Sequence, residues 1–180
     1  MHEEVIISGF GGQGALFAGQ LLTYAGMDEG RIVSWFPSYG PEMRGGTAHC
    51  TIVISDEPIG SPIIHNPTSC IVLNPESMDK YEPLVKAGGI LVVNTSLVRK
   101  KATRTDIRVV EVPANDLANE LGSVKSANLV LLGALLAANP IVRIDSIKKA
   151  LDEHVPEGRR HIIEPNKRAL DRGAATVKEA

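Results

Sequence analysis

The sequence is poor in cysteine, in aromatic residues and in any excess of basic charge. Its 180 residues include two cysteines and no C-x-x-C pair, so the chain alone lacks a recognisable ligand set for a structural zinc ion or an iron–sulfur cluster. Its 19 basic and 21 acidic residues give a formal net charge of −2, which disfavours sequence-independent binding of DNA or RNA. No apolar run approaches the roughly 18 residues of a membrane-spanning helix, so we expect neither a nucleic-acid nor a membrane partner.

Other absences concern targeting and the core. The first residues enter an apolar segment without the charged region and cleavage site of a signal peptide, so we expect a cytoplasmic protein. Cys50 and Cys70 lie in apolar, strand-like segments, which is typical of buried reduced thiols. Because aromatic residues make up only 4% of the chain, the core must consist mainly of aliphatic side chains, as in α/β sheets.

Several enzyme motifs are also missing. The chain has no G-x-x-x-x-G-K-[ST] phosphate loop and no G-x-S-x-G nucleophile elbow. Its five histidines are scattered and show no metal-ligand spacing. The sequence therefore predicts no catalytic residue and no metal ligand.

The apolar pattern predicts an α/β fold, a doubly wound Rossmann-like three-layer sandwich. Residues 4–8 and 31–36 are typical of strands, and residues 15–29 of a helix between them, because their apolar residues recur near a 3.6-residue spacing. Residues 47–55 and 59–64 predict a β-hairpin inserted after the second strand, which would make the mostly parallel sheet mixed. We expect one domain over residues 1–180, with a charged C-terminal tail over residues 156–180.

The rest of the chain continues the alternation of strands and helices. Further strands are predicted at residues 70–74, 90–94 and 107–112, and helices at 78–86, 116–121, 126–138 and 145–153. Asp145 and Ser146 are available to cap the last of these helices. Within the tail, residues 166–172 are compatible with a helix on the surface or on a partner.

A glycine loop, residues 9–14, follows the first strand and precedes the first helix. Gly9, Gly11 and Gly14 have the G-x-G-x-x-G spacing, with Gly12 and Gln13 between them. Such a loop offers free N–H groups to an anion. NAD-type binding also needs an acidic residue about 20 positions later, and residues 33–37 contain neither an acid nor an arginine. The loop therefore binds another phosphate-bearing group, or it is a turn that lets the helix pack closely or contact a partner chain.

A second candidate site is the segment of residues 37–46, in which five of the ten residues are glycine or proline. It is either a rigid turn or a surface presented to a cofactor or second subunit, and the guanidinium of Arg44 could bind a carboxylate or phosphate. Asn74, Asn94 and Asn128 are expected near the same edge of the sheet. The candidate residues of this segment are Tyr39, Gly40, Pro41, Glu42, Met43, Arg44, Gly45 and Gly46.

Together these motifs resemble a known family. The segments GFGGQG (residues 9–14), SYGPEMRGGT (residues 38–47) and NLVLLGA (residues 128–134) are similar to the gamma subunit of the 2-oxoacid:ferredoxin oxidoreductases. The resemblance covers nearly the whole chain, and the length of the chain and the sequences of its motifs are closest to the 2-oxoglutarate type. The alternative is a stand-alone, nucleotide-binding Rossmann-like protein.

The resemblance implies a function for the complex rather than for this chain alone. These enzymes oxidatively decarboxylate a 2-oxoacid with coenzyme A (CoA), giving acyl-CoA, CO2 and reduced ferredoxin. Thiamine diphosphate and iron–sulfur clusters do the chemistry and are held chiefly by the other subunits. The resemblance thus implies that this chain holds no cofactor by itself and is inactive in isolation.

The resemblance also implies partners and a place for the two loops. The partners are alpha and beta subunits, a delta subunit where one is present, and ferredoxin through the complex, while the isolated chain could form a homodimer. The two loops would face the thiamine diphosphate or CoA region, or the neighbouring subunit. Contact between Arg44 and a CoA phosphate is a hypothesis.

Overall fold

The computed structural model describes residues 1–40 and 46–178, without the Lys178 side chain. Its centre is one six-stranded sheet in the order β2-β3-β1-β4-β5-β6. The strands are β1 (His2–Phe10), β2 (Ile32–Tyr39), β3 (Thr47–Ser55), β4 (Ser69–Val72), β5 (Ile90–Asn94) and β6 (Arg108–Val112). β3 pairs antiparallel with both β1 and β2, and the remaining pairings are parallel. The mostly parallel, mixed sheet is therefore confirmed.

The predicted partner of β3 is wrong. Residues 59–64 do not form a strand, and the hairpin consists of β2 and β3 instead. Both edges of β3 are already paired, one with β1 and the other with β2, so no hydrogen-bonding edge is left for a further strand. Pro62 also lacks the N–H that a strand in the interior of a sheet would donate.

Helices cover both faces of the sheet. They are α1 (Ala15–Asp28), α2 (Pro75–Tyr81), α3 (Ala114–Glu120), α4 (Ala127–Ala138), α5 (Ile144–His154) and α6 (Ile163–Lys178). α1 and α4 share the larger core on one face, and α2 packs on the smaller core of the other face. Within the described ranges, no helix combines the length and the apolar character needed to cross a bilayer.

The C-terminal segment is folded onto the chain itself. A short 3-10 helix, Glu157–Ile162, leads into α6, which lies against α4 and fully buries Ala169 and Leu170. At Gly173 the two backbones touch, since a Cβ atom there would lie 1.8 Å from the carbonyl oxygen of Val130. The buried residues of α6 are mostly small or aliphatic, among them Ala169, Leu170 and Ala174, and the many charged residues between them obscure this stripe in the sequence.

The N-terminus of α5 is bound by the residue that directly follows α1. Asp145 and Ser146 were expected to cap it, but the carboxylate of Glu29 accepts hydrogen bonds from the Arg143 backbone N–H (2.8 Å) and the Ser146 hydroxyl (2.6 Å). Burial would raise the pKa of Glu29, but these hydrogen bonds, led by that from Ser146, hold it below its ordinary value. The contact joins the end of α1 to the start of α5.

A second buried carboxylate fixes the loop between β5 and β6. Glu82 is 3% exposed and accepts hydrogen bonds from the backbone N–H groups of Thr103 and Arg104 and from the Thr103 hydroxyl. Burial alone would raise the pKa of Glu82, but these donors bind the ionised form and bring the pKa below its ordinary value. The charge of Glu82 therefore stabilises the folded chain.

The variant Glu82→Gln is expected to lower the free energy of unfolding at pH 7 by about 1–3 kcal/mol, because the negative charge that strengthens the three hydrogen bonds to Oε1 is lost. A carboxyl whose folded pKa is depressed stabilises above its unfolded pKa of about 4.3 and loses that contribution as pH falls through the folded pKa. Denaturant unfolding should thus show a variant difference that shrinks from pH 7 towards pH 3. The exposed Glu120→Gln is the control, and an equal Glu82 difference at both pH values would contradict the prediction.

Candidate functional site

The candidate site lies where the parallel strands β1, β4 and β5 end, here called the rim. The glycine loop begins within the last two residues of β1, Asn74 lies two residues beyond the end of β4, and Asn94 is the last residue of β5. α1 and α2, which follow β1 and β4, pack on opposite faces of the sheet. This divergence opens a crevice beyond the strand ends, the place where open α/β sheets bind ligands.

The glycine loop is held by its own side chain and by the neighbouring strand. Gln13 accepts a hydrogen bond from Phe10 N at 2.7 Å through Oε1, and its backbone N–H donates to Phe10 O at 3.1 Å. Gly14 then takes a left-handed conformation with φ of +79°, and α1 begins without a side-chain cap. The first N–H groups of α1 therefore remain available to an anion.

Asn128, at the start of α4, is the side chain that ties this helix to the glycine loop. Its Nδ2 donates to the carbonyl oxygen of Gly14 at 2.9 Å, and the residue is 4% exposed. Its Oδ1 is buried and has no hydrogen-bond partner within the described part of the chain. Because a buried acceptor without a donor costs free energy, Asn128 is suited to accept an N–H from a ligand.

A cavity of about 410 Å³, here called the basic cavity, opens beside Asn128. It lies between the glycine loop, the 3-10 helix Val124–Ser126 and the start of α6. Lys125, Arg159 and His161 line it, and the described residues around it include no acidic one. Over residues 1–40 and 46–178, none of the three forms an ion pair. Cationic groups, free helical N–H groups and an unpaired amide oxygen together suit a phosphate-bearing ligand with N–H donors.

Sequence reasoning found only part of this cavity. Gly12, Gly14 and Asn128 were predicted as site residues and do line it. Arg159 and His161 belong to a short basic run whose sequence is compatible with a solvated surface, an acidic partner or a phosphate, and Lys125 was not singled out. The only available signal was the basic character of residues 159–161 in a weakly acidic chain.

The second predicted loop begins and ends at the rim. Gly11 N donates to Gly46 O at 2.9 Å, and Gly40 N donates to Thr47 O at 2.8 Å. Tyr39, at the end of β2, is 60% exposed. The other predicted residues of this loop, Pro41, Glu42, Met43, Arg44 and Gly45, lie outside the described residues. The two glycine-rich segments are thus in contact at Gly46.

Two of the expected polar residues serve the fold. Asn74 Oδ1 accepts from Ser77 N at 2.8 Å and caps α2. Asn94 donates to Leu73 O at 3.1 Å and accepts from Ala114 N at 3.2 Å, so it joins β5 to its neighbours. Both lie at the rim as predicted, but their side chains are largely committed to internal hydrogen bonds.

The topology supports the exclusion of NAD-type binding. In the dinucleotide-binding fold the second strand lies beside the first and supplies the acidic residue that binds the ribose. Here β3 separates β2 from β1, and β2 contains no acidic residue. The described residues thus offer no counterpart of that ribose site.

The described residues also do not fit the redox cofactors that the family resemblance implies. Cys50 faces the core of α1 and Cys70 that of α2, so these fully buried thiols lie on opposite faces of the sheet and cannot share a cluster. Burial raises the pKa of Cys50 to about 12 and also raises that of Cys70. A diphosphate that is held through Mg²⁺ needs carboxylate ligands for the ion from the protein, and the described residues that line the basic cavity offer none.

The fold and the rim define a class: an α/β domain of Rossmann-like architecture, with a mixed six-stranded sheet and its candidate site at the carboxyl ends of the parallel strands. Residues 4–176 match the family described as pyruvate ferredoxin/flavodoxin oxidoreductase. The chain therefore belongs to this family, in which it corresponds to the gamma subunit of the 2-oxoacid:ferredoxin oxidoreductases.

Curated relatives differ in how much more chain they contain. The ketoisovalerate oxidoreductase subunit VorA of Methanothermobacter thermautotrophicus is 38% identical over 98% of this chain, which spans only 36% of that protein. The 2-oxoglutarate synthase subunit KorC of Methanocaldococcus jannaschii is 36% identical over 99% of this chain and 96% of its own length. The same domain therefore matches both a short subunit and about a third of a longer one.

Solved structures show the same fold. The gamma subunit of a keto/oxoacid ferredoxin oxidoreductase from Geobacter sulfurreducens is 31% identical, with a TM-score of 0.86 over 100% of this chain and 98% of that one. The 2-oxoglutarate:ferredoxin oxidoreductase of Magnetococcus marinus, described with 2-oxoglutarate, coenzyme A and succinyl-CoA bound, is 22% identical. Its TM-score is 0.89 over 99% of this chain and 31% of that one.

Proposed function

We propose that this chain works as the gamma subunit of a complex that oxidatively decarboxylates a 2-oxoacid with CoA and reduces ferredoxin. The substrate we favour is 2-oxoglutarate, because KorC has nearly the same length as this chain and is named for that substrate. We propose alpha and beta subunits as partners, which hold thiamine diphosphate and the iron–sulfur clusters. Free cysteine thiols support our proposal that the complex is cytoplasmic.

Within that complex, we propose that the basic cavity binds the phosphate-bearing end of CoA. The observation on which this rests is the convergence of Lys125, Arg159 and His161 with the glycine loop on a cavity whose described lining has no acidic residue. The unpaired Oδ1 of Asn128 would accept an N–H of the same ligand, such as the adenine amino group or a pantetheine amide. The Magnetococcus marinus protein, whose fold is similar, is described with CoA bound.

The loop of residues 39–46 is proposed to face the neighbouring subunit or the CoA. Gly46, at the end of this loop, accepts a hydrogen bond from Gly11 N of the glycine loop, and this contact at the rim supports the proposal. Arg44 contacting a CoA phosphate stays a hypothesis, and Arg44→Ala should then raise the apparent KM for CoA. An unchanged KM would remove that contact from the proposal.

The proposed assembly is tested by anaerobic pull-down from native cell extract with the tagged chain as bait. The eluate is assayed for CoA-dependent reduction of a viologen dye by 2-oxoglutarate, pyruvate and branched 2-oxoacids. We expect larger partner chains and activity with one of these substrates, which then identifies the oxoacid. A chain that elutes alone and inactive, yet binds a nucleotide tightly, would favour the stand-alone nucleotide-binding alternative.

The proposed CoA site is tested with Lys125→Ala and Arg159→Ala in the assembled complex. Each variant should raise the KM for CoA by roughly 3- to 10-fold with kcat nearly unchanged, because a charge-assisted contact to a phosphate is lost in ground and transition states alike. The control is Lys101→Ala, whose side chain is 78% exposed and bound to Glu111 on β6. A lower kcat at constant KM, or an equal effect in the control, would contradict the proposed role.

A further inference from the structure

The C-terminal ends of α1 and α5 meet at a cluster of metal-ligating side chains. Asp28 is the last residue of α1, and Glu153 and His154 are the last two residues of α5. One ligand atom from each of the three lies within 4.8 Å of the others. Because α1 begins at the glycine loop and runs for 14 residues, about 21 Å, this cluster lies at the opposite end of the helix from the basic cavity.

The imidazole of this cluster is held in place by a ring contact. His154 stacks on Tyr24, with ring centroids 3.9 Å apart and an interplanar angle of 12°. Tyr24 and Asp28 are four residues apart and therefore lie on the same face of α1, the face turned towards α5. The stacking fixes the plane of the histidine ring beside the carboxylate of Asp28, so part of the ordering needed for a metal ligand is already present.

Little positive charge offsets the cluster. Within the described ranges, Asp28 and His154 form no ion pair, and Glu153 has one, with Lys149 Nζ at 3.6 Å. The neighbouring carboxylate of Glu29 is turned away to the start of α5. All three residues are exposed, so a metal ion can reach their ligand atoms directly from solvent. The site therefore combines two carboxylates and an imidazole that one ion could bind together.

We propose that Asp28, Glu153 and His154 bind a divalent transition-metal ion, with Zn²⁺ as the ion that fits best. One nitrogen and two oxygen ligands suit Zn²⁺, and a water molecule would complete a tetrahedral set. Mg²⁺ and Ca²⁺ fit less well because they take oxygen ligands. The bound ion would join the end of α1 to the end of α5 and stabilise the packing of the two helices. This inference is independent of the proposed CoA site.

The test is a titration of the full chain with Zn²⁺ alone. Calorimetry measures the binding, and thermal unfolding measures the change in Tm. We expect one ion with a Kd in the micromolar range and a rise in Tm, because an ion that binds the folded state stabilises it. Asp28→Asn, Glu153→Gln and His154→Ala should each weaken binding at least about 10-fold, the loss of one strong ligand. Co²⁺ should give the visible absorption of a tetrahedral site in the wild type and lose it in His154→Ala.

The matched control is His65→Ala, which removes an exposed imidazole from the loop before β4. It should leave the Zn²⁺ affinity unchanged. Absence of Zn²⁺ binding at about 100 μM, roughly a hundredfold above a micromolar Kd, would overturn the proposal. A Zn²⁺ affinity that stays at the wild-type value in all three cluster variants would also overturn it. So would Mg²⁺ binding that is as tight as Zn²⁺ binding and is unaffected by His154→Ala. Asp28→Asn and Glu153→Gln keep the stacking of His154 on Tyr24. They therefore test the metal site even if His154→Ala fails to fold.

Discussion

Replacing Gly173 with alanine is expected to lower the free energy of unfolding by about 2–4 kcal/mol, although alanine is the better helix former by about 1 kcal/mol. The new Cβ atom would lie 1.8 Å from Val130 O, a backbone atom that can move only if the helices separate. Gly133 on α4 has the reciprocal contact, with a Cβ position 2.1 Å from Leu170 O. Two helices that meet at glycines cannot absorb a methyl group by changing a rotamer.

The measurement is denaturant unfolding of the isolated chain, with Gly60→Ala as the control. Gly60 lies in an exposed loop where a Cβ atom meets nothing within 4 Å, so this variant should leave stability unchanged or raise it slightly. If Gly173→Ala instead raised stability by the gain in helix propensity, the close approach of α4 and α6 would be refuted. The sign of the effect is therefore as informative as its size.

The same variant should also affect the site. α6 begins directly after the 3-10 helix that contains Arg159 and His161, and its Asn166 accepts a hydrogen bond from Ser126 at 2.8 Å. Pushing α6 away from α4 would thus move one wall of the basic cavity relative to the glycine loop. We expect weaker CoA binding in Gly173→Ala even where the protein remains folded.

Local patterns in the sequence were sufficient for most of the fold. Strands, helices and the turn into α1 depend on residues near one another in the chain, and apart from residues 59–64, which form no strand, the predicted ranges differ from the observed ones only at their ends. The partner of β3 could not be obtained in this way. Its alternation predicts a strand with Cys50 and Ile52 on a buried face, but pairing with β1 or with β2 depends on contacts far apart in sequence.

The candidate site likewise has a part that depends on neighbouring residues and a part that depends on residues far apart in sequence. The glycine loop was predictable because its glycines, the strand before it and the helix after it are contiguous. The other half of the basic cavity comes from residues more than 100 positions away, as the hydrogen bond from Asn128 to Gly14 shows. Lys125 and Arg159 are ordinary surface residues in sequence, and only the docking of α6 on α4 brings them to the rim.

Alanine at position 14 should therefore be much more costly than alanine at position 12. Both glycines have positive φ angles, +79° for Gly14 and +99° for Gly12, so each substitution is expected to cost about 1–2 kcal/mol of backbone strain. A Cβ atom at Gly12 meets nothing within 4 Å, whereas at Gly14 it lies 2.5 Å from Asn128 Nδ2. We expect Gly14→Ala to lose about 1–3 kcal/mol more than Gly12→Ala, since its methyl group overpacks a filled site.

The double variant Gly14→Ala/Asn128→Ala isolates that collision. Asn128→Ala alone removes the bond to Gly14 O and should cost about 1 kcal/mol, but in the double variant the new methyl group has room. Chemical unfolding of the four chains should give a favourable coupling free energy, with the double variant more stable than the sum of the single losses. Additive losses would mean that Asn128 does not hold the loop, and that its unpaired oxygen is not positioned by Gly14 for a ligand.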